Sequence, residues 1–471
     1  MGEFATPAPV SVLHHGIAAA GRTFDAFSSF LAAVIFVPLS ALATRRAQRF
    51  LLALVILDIP SNIGKHLDYQ ETPADLGGLA GFDISVTTIA LLGLYLGWIL
   101  QSLSDPARSY RERLHFSRPL LVYVAVTGFS ILAAGNPELS LFEVVLLVQM
   151  FFLYLYIANN VRTRQDLLFI VALLLIALVL EALIMIGIRA IGHDLGITGI
   201  RTRIDTGGDM VRVGGTVGSP NNAGAYLAVS LAIGIGVLFS GLGRAYKFLA
   251  AGALGLGSIA LILTFSRGAW TAFAIAVSIA CFCAWRIGRL PVKLALTAGI
   301  IIAFAALLFQ AAIATRISGD DRGAAYARVP LMRLAFRIIA DNPVLGVGAN
   351  NFETALDRYA TGEFRSGFLY TVHNKYLLIW AETGPAGLLA FLLFLFTITR
   401  QGWRCTRIPD PVLSSLAIGF VAGIIGLMVH MLFDVFRGRP LTDLLWVLAG
   451  LITAMVHMRD TTSILSRQVR H

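Results

Sequence analysis

Apolar stretches of about 20 residues recur along most of this chain, and nothing else in it constrains the fold as tightly. In lipid every backbone N–H and C=O must be satisfied inside the protein, so a spanning segment is a helix or part of a closed barrel. These stretches are continuous instead of alternating, which selects helices. Only 14% of the residues are charged, against ~25% in a soluble domain, and 57% are hydrophobic. Mean hydropathy is +0.77. The expected fold class is therefore all-α, a polytopic integral membrane protein of about 12 or 13 transmembrane helices. The candidate spans are 26–43, 49–62, 83–102, 118–134, 139–159, 165–190, 221–241, 246–265, 268–286, 291–313, 373–399, 412–434 and 441–458.

Basic clusters orient the spans, because short cytoplasmic loops carry an excess of Lys and Arg. Arg45, Arg46 and Arg49 form one cluster; Arg108, Arg111, Arg113 and Arg118 form another; Arg162 and Arg164 follow. Arg244 with Lys247, then Arg286, Arg289 and Lys293, then Arg400, Arg404 and Arg407 complete the series. Placing all six inside is consistent with every intervening hairpin. All thirteen spans would put the N-terminus outside; with 49–62 a partial span ending at Pro60, both ends lie inside. Both counts stand at this point. The start of the chain shows no basic region leading into a short apolar run with a cleavage site, so the first apolar segment is expected to stay.

The formal net charge of +10 comes from 37 basic and 27 acidic residues. In a membrane protein that excess belongs to cytoplasmic loops, and no basic–aromatic surface motif points to a nucleic acid partner. Cys281, Cys283 and Cys405 cannot build a disulfide framework and read as packing residues and a free thiol.

Three connections fall on the outer side: 191–220, the tight break at Ser266-Arg267-Gly268, and 314–372, the longest loop. The chain thus divides into N-terminal helices 1–313 (including the outer segment 191–220), the large outer loop 314–372, and C-terminal helices with a cytoplasmic tail, 373–471. Within the loop, residues 329–340 read as an amphipathic helix lying on the outer leaflet, with Arg333 and Arg337 on one face and Asp341-Asn342-Pro343 as its end. Gly346-Val347-Gly348 permits a tight turn.

The polar residues at these outer helix ends are the candidates for chemistry. Arg267 is flanked by apolar residues, and an arginine at membrane depth lines a cavity or meets a fixed anion. Arg212 precedes a glycine-rich stretch and the helix-capping run Ser219-Pro220-Asn221-Asn222. Two guanidinium groups near helix N-termini suit a pyrophosphate, through bidentate bonds and favourable dipoles. The remaining loop arginines admit a plainer reading, a solvated domain with paired charges. His373 and Asn374 fall where an apolar helix begins. There the positive end of the dipole disfavours imidazolium and leaves the neutral imidazole that a general base needs near pH 7. An interfacial or capping role is the bland alternative. Asn374 is placed to orient a substrate hydroxyl, and Tyr376 to reach back toward the loop. Glu382-Thr383-Gly384-Pro385 breaks the same helix, with Glu382 either paired to an outer arginine or solvating the kink. No Asp-x-Asp, Asp-x-Glu, Glu-x-Asp or His-x-x-x-His spacing occurs, so no metal is expected and the arginines take the anion-neutralising part.

Arg212…Gly215…Pro220-Asn221, then Ser266-Arg267-Gly268, then Asn342-Pro343-Val344-Leu345-Gly346-Val347-Gly348, then His373-Asn374-x-Tyr376 and Glu382-x-Gly384 follow one another over about residues 200–395. In that order they resemble the O-antigen ligase/polymerase superfamily; the earlier helices match it only in being apolar. The likeness is greatest to O-antigen ligases of the Gram-negative inner membrane, which move a polysaccharide from undecaprenyl pyrophosphate to lipid A–core. The resemblance implies that Arg212 and Arg267 bind the pyrophosphate and that His373 is essential, with Asn221, Arg328, Asn374 and Tyr376 completing the substrate-binding set. It further implies an inverting glycosyl transfer on the periplasmic side, with no metal and no cofactor. O-antigen polymerases and protein O-oligosaccharyltransferases use the same kind of donor and differ in acceptor, and the acceptor stays open. A transporter or flippase is the reading from another class. The lack of symmetry between the halves, and polar residues at the outer face instead of mid-membrane, argue against it.

Overall fold

The computed structural model describes residue 42 and residues 44–61, 63–104, 114–195, 201–206, 210–288, 328–360 and 370–468. They fall into two compact units, one within residues 1–52 and 90–113, the other within 53–89 and 114–471. Helix α1 (Arg45–Ser61) leads to strand β1 (Gly64–Leu67), the short α2 (Glu71–Asp75) and strand β2 (Phe82–Ser85), and then to α3 (Val86–Ser104). There follow α4 (Arg118–Phe129) with a 3-10 turn, α5 (Pro137–Asn160) and α6 (Arg164–Ile191). Strands β3 (Arg203–Asp205) and β4 (Arg212–Gly215) precede α7 (Pro220–Phe239), α8 (Arg244–Leu263) and α9 (Arg267–Arg286). The later part holds α10 (Arg328–Asp341), α11 (Phe352–Tyr359), α12 (Lys375–Cys405), α13 (Pro411–His430) and α14 (Arg439–Gln468).

Among the described residues nine helices are long and apolar enough to cross a membrane. Spans 26–43 and 291–313 lie outside the described residues, and each of the others falls on a helix. The protein is a polytopic all-α membrane protein with almost no sheet. Two small antiparallel pairs, β1–β2 and β3–β4, were not expected from the sequence. They lie in polar connections too short and irregular for a period-2 pattern to show.

Local sequence sets most helix starts. Asn136, Ser219 and Asp410 cap α5, α7 and α13, each followed by proline, which needs no N–H partner there. Thr163 and Asp166 form a reciprocal capping box on α6. The central packing of α7, α9 and α13 is built on small residues such as Ala232, Ala276, Ala280 and Ala422. Small side chains let helices approach closely where lipid offers no hydrophobic drive.

In the long loop the amphipathic helix forms as α10, but its apolar face does not lie on a leaflet. Leu331, Leu334, Ala335, Ile338 and Ile339 are buried with Phe352 and Leu356 of α11 and Leu378 and Ala381 of α12. Protein surface takes the place that lipid was given. The turn after α10 is tied to the break in α12. Gly384 has φ 68° and ψ −175°, just before Pro385. The break frees two carbonyls, and Val347 N–H donates to Ala381 C=O at 2.9 Å while Gly348 N–H donates to Glu382 C=O at 2.9 Å. The Val344 carbonyl lies where a Cβ on residue 384 would go, so only glycine fits.

Candidate active site

The candidate site lies where α7, α9, α12 and α14 begin and α13 ends. Arg212 opens β4, which pairs with β3 in the register Asp205↔Arg212. Its Nε donates to the Thr264 carbonyl at 3.0 Å and its Nη2 to Asn221 Oδ1 at 2.8 Å. Asn221 Nδ2 donates in turn to Asp434 Oδ2 at 2.8 Å. Thr264 stands at the break between α8 and α9. There Phe265 has φ 47°, and Ser266 caps α9 by accepting from Ala269 N–H at 3.4 Å. Arg267 is thereby the first residue of α9, three positions from the carbonyl that holds Arg212. Gly268 next to it faces the imidazole of His430 at the end of α13.

His373 enters from α12. Asn374 caps that helix, accepting from Leu377 N–H at 3.0 Å, and its Nδ2 donates to the Leu432 carbonyl at 3.2 Å. Lys375 N–H donates to the Met431 carbonyl at 2.9 Å, and the Tyr376 hydroxyl to the Met428 carbonyl at 2.8 Å. Three consecutive residues therefore strap the start of α12 to the end of α13, and their polar groups fix the residue before them. His373 is half-buried, with its ring 5.3 Å from that of Tyr370. Burial lowers its pKa below the ordinary 6.5; the Asp434 carboxylate opposes the shift and the Arg328 charge adds to it. The helix dipole was expected to keep this imidazole neutral; burial acts in the same direction and heads the causes that lower its pKa. Arg328, the first residue of α10, makes no hydrogen bond or ion pair among the described residues.

The structure brings Arg212, Asn221, Arg267, Arg328, His373, Asn374 and Tyr376 to one end of the helices. The sequence reading missed the segment that joins them, residues 430–439. Asp434 reaches Arg212 through Asn221, and its charge acts on His373. Arg437 is buried, its Nη1 donating to Glu353 Oε1 at 2.8 Å and Asn350 Oδ1 at 3.0 Å and its Nη2 to Glu382, with Glu143 at 4.0 Å. Glu382 thus takes the outer-arginine partner that was one of its two readings. Burial works against the Arg437 charge, but Glu353, Glu382 and Glu143 outweigh it and raise the pKa. Arg439 is held in the same way by Asp58 at 2.6 Å, Asp83 at 3.2 Å and Asp443 at 3.6 Å. Carboxylates therefore do converge in this protein, although no short spacing announces it, and they converge on arginines. The signal was present: charges at the edge of a span need partners, the argument already applied to Arg267.

A family model described as O-Antigen ligase matches residues 252–392, a region that holds Arg267, Arg328, His373, Asn374 and Tyr376. The region is similar to that family, the one that the motifs resemble. The family supports a membrane glycosyltransferase of the O-antigen ligase/polymerase type, acting broadly on lipid-linked polysaccharide. No curated protein matches the chain. One solved structure, from work titled "Structural coordination of polymerization and crosslinking by a peptidoglycan synthase complex", is 17% identical over 74% of this chain and 99% of that one. Its TM-score is 0.39, too low a likeness to bear on fold or function.

Proposed function

We propose that the protein is an O-antigen ligase of the Gram-negative inner membrane with its site facing the periplasm. In this reading it transfers O-antigen polysaccharide from undecaprenyl pyrophosphate to a sugar hydroxyl of lipid A–core. One observation carries the reading: the path Arg212–Asn221–Asp434 leads from the arginine end of the site to the neighbourhood of His373. An anion grip and a neutral base thus share one carboxylate.

Arg212 and Arg267 hold the donor pyrophosphate, aided by Arg328 and by the N-termini of α7 and α9. The acceptor oxygen attacks the anomeric carbon while the bond from that carbon to the pyrophosphate oxygen breaks. The electron pair leaves with undecaprenyl pyrophosphate, whose charge the guanidinium groups offset. The hydroxyl proton passes to His373, for which a half-buried neutral imidazole is suited. Asn374 and Tyr376 set the position of His373 through their bonds to α13. A single displacement inverts the anomeric centre, and the scheme calls on no metal.

The test uses the full chain with lipid-linked donor and lipid A–core. His373→Gln is expected to bind donor but to lose transfer by about 10²–10⁴. Poor donor binding with normal turnover at saturation would make His373 a pyrophosphate ligand and move the base elsewhere. Retained configuration would exclude the single displacement, and solute flux without a new glycosidic bond would assign a transporter.

A further inference from the structure

Glu181 lies among apolar residues of α6, is 1% exposed, and has no part in the scheme above. It stands ten residues before the end of α6, about 15 Å along the helix from its outer end. The outer connection comes down to meet it. Gly215 closes β4 with φ 61°, and a Cβ there would collide with Glu181 Oε1, so the bare glycine lets the backbone come this close. Thr216 N–H then donates to Glu181 Oε1 at 2.9 Å. The Thr216 hydroxyl meets two oxygens: Glu181 Oε2 and, at 2.8 Å, the carbonyl of Pro60 in the last turn of α1.

The protons in this group can be counted. A carbonyl only accepts, and a hydroxyl has one proton to give. With that proton on the Pro60 carbonyl, the bond between Thr216 and Glu181 Oε2 needs another, and the carboxyl group is the one that can supply it. An ionised Glu181 would leave a hydroxyl proton shared between two acceptors and one contact between bare oxygens. No cation offsets such a charge among the described residues, and a buried carboxylate without a counterion is costly in an apolar helix. We propose that Glu181 is a positioning residue of the site that works as a neutral acid, donating from Oε2 and accepting at Oε1 to pin the turn between Arg212 and Asn221. Those two residues stand four before and five after Thr216, and they bond each other at 2.8 Å. Glu181 touches no substrate. The inference rests on the reading of Arg212 as a donor ligand and says what holds that ligand from within the bundle.

Infrared difference spectra of the full chain in detergent test the proton. At neutral pH the wild type is expected to show the carbonyl stretch of a protonated carboxyl group that Glu181→Gln lacks; the absence of that difference overturns the inference. Transfer kinetics test the positioning. Glu181→Gln keeps one donor and one acceptor on a side chain of the same shape and is expected to keep the wild-type KM for the lipid-linked donor. Glu181→Met keeps the length but loses both bonds, and its donor KM is expected to rise about tenfold. Its kcat at saturating donor is expected to hold, because His373 is fixed by α12 and α13. Thr216→Val removes the hydroxyl alone, needs no change in α6, and is expected to raise the donor KM severalfold. A purely structural glutamate would lower the yield of folded Glu181→Met and leave the KM of the folded molecules unchanged, which overturns the inference. A Gln variant as impaired as the Met variant overturns it too, since a carboxylate charge would then be needed. Arg212→Lys in the same assay separates the two readings. A donor KM raised in Arg212→Lys but unchanged in Glu181→Met and Thr216→Val overturns this inference alone. A donor KM unchanged in Arg212→Lys overturns the donor-ligand reading and this inference with it.

Discussion

Arginines occur in two settings in this chain. Arg437 and Arg439 are 6% and 2% exposed, and each is ringed by three carboxylates, all from distant segments except Asp443, one turn along from Arg439. Arg212 and Arg328 are half-buried at the start of a strand and of a helix, and the bonds of Arg212 described above go to a carbonyl and an amide. The first pair neutralises the protein's own charge and is occupied in doing so. In the second setting the bonds described for Arg212 reach its guanidinium through a carbonyl and an amide, not a carboxylate. Residue type alone does not separate the two settings.

The comparison breaks most visibly at Arg437. Arg437→Ala leaves Glu143, Glu353 and Glu382 without the guanidinium that pairs with them and with only the Lys375 charge nearby, a loss of about 3–5 kcal/mol. Total stabilities are only ~5–15 kcal/mol, so the expected outcome is little folded protein after extraction. Adding Glu382→Gln is expected to recover part of the yield by removing one of the stranded charges. A stable Arg437→Ala protein would show that the cluster does not hold the fold.

Arg212 is expected to give the opposite pattern. Arg212→Lys keeps the charge but loses the fork that bonds Thr264, Asn221 and a ligand at once. Transfer is expected to fall by about 10–100-fold with the melting temperature nearly unchanged. A large drop in melting temperature with normal activity per folded molecule would put Arg212 in the first setting.

The smallest effect, and the sharpest, is on pH dependence. Protonated His373 cannot accept a proton, so kcat/KM is expected to be full above its folded-state pKa and to fall as pH drops through it, below the ordinary 6.5. Asp434→Asn removes a charge that raises this pKa and is expected to move the acid limb further down. Arg328→Gln removes a charge that lowers it and is expected to move the limb up. Limbs that move together, or not at all, would separate His373 from both groups.

How far the sequence could be read follows the range of the interactions. Asn374 was legible as a helix start because a cap joins residues three apart, and Leu377 N–H is its partner. The break at Gly384 was legible because Gly-Pro acts locally. That Gly346–Gly348 would bond the carbonyls freed by that break was not, since the two stretches are more than thirty residues apart and neither pattern names the other. The outer-leaflet place given to α10 failed for the same reason: an amphipathic face says that something apolar covers it, not whether lipid or protein does. Asp434, Arg437 and Arg439 sat in plain view at the edge of a span. Their need for partners was readable, but their choice of Asn221, Glu353 and Asp58 was not.

The order in which the chain is made gives segment 434–439 a further consequence. Asp58, Asp83, Glu143, Glu353 and Glu382 all leave the ribosome before Arg437 and Arg439. Until those two arginines arrive, five acids wait, four of them in or at the ends of helices and Asp83 in β2, where an unpaired buried charge is costly. The nascent protein must therefore carry them protonated, hydrated or shielded by insertion machinery while most of its helices are already in the membrane. Closure of the bundle is then a late event, set off by the insertion of α14. A chain stopped just short of residue 437 is expected to be recognised and degraded as an unfinished membrane protein, although nearly every residue of the candidate site has been synthesised.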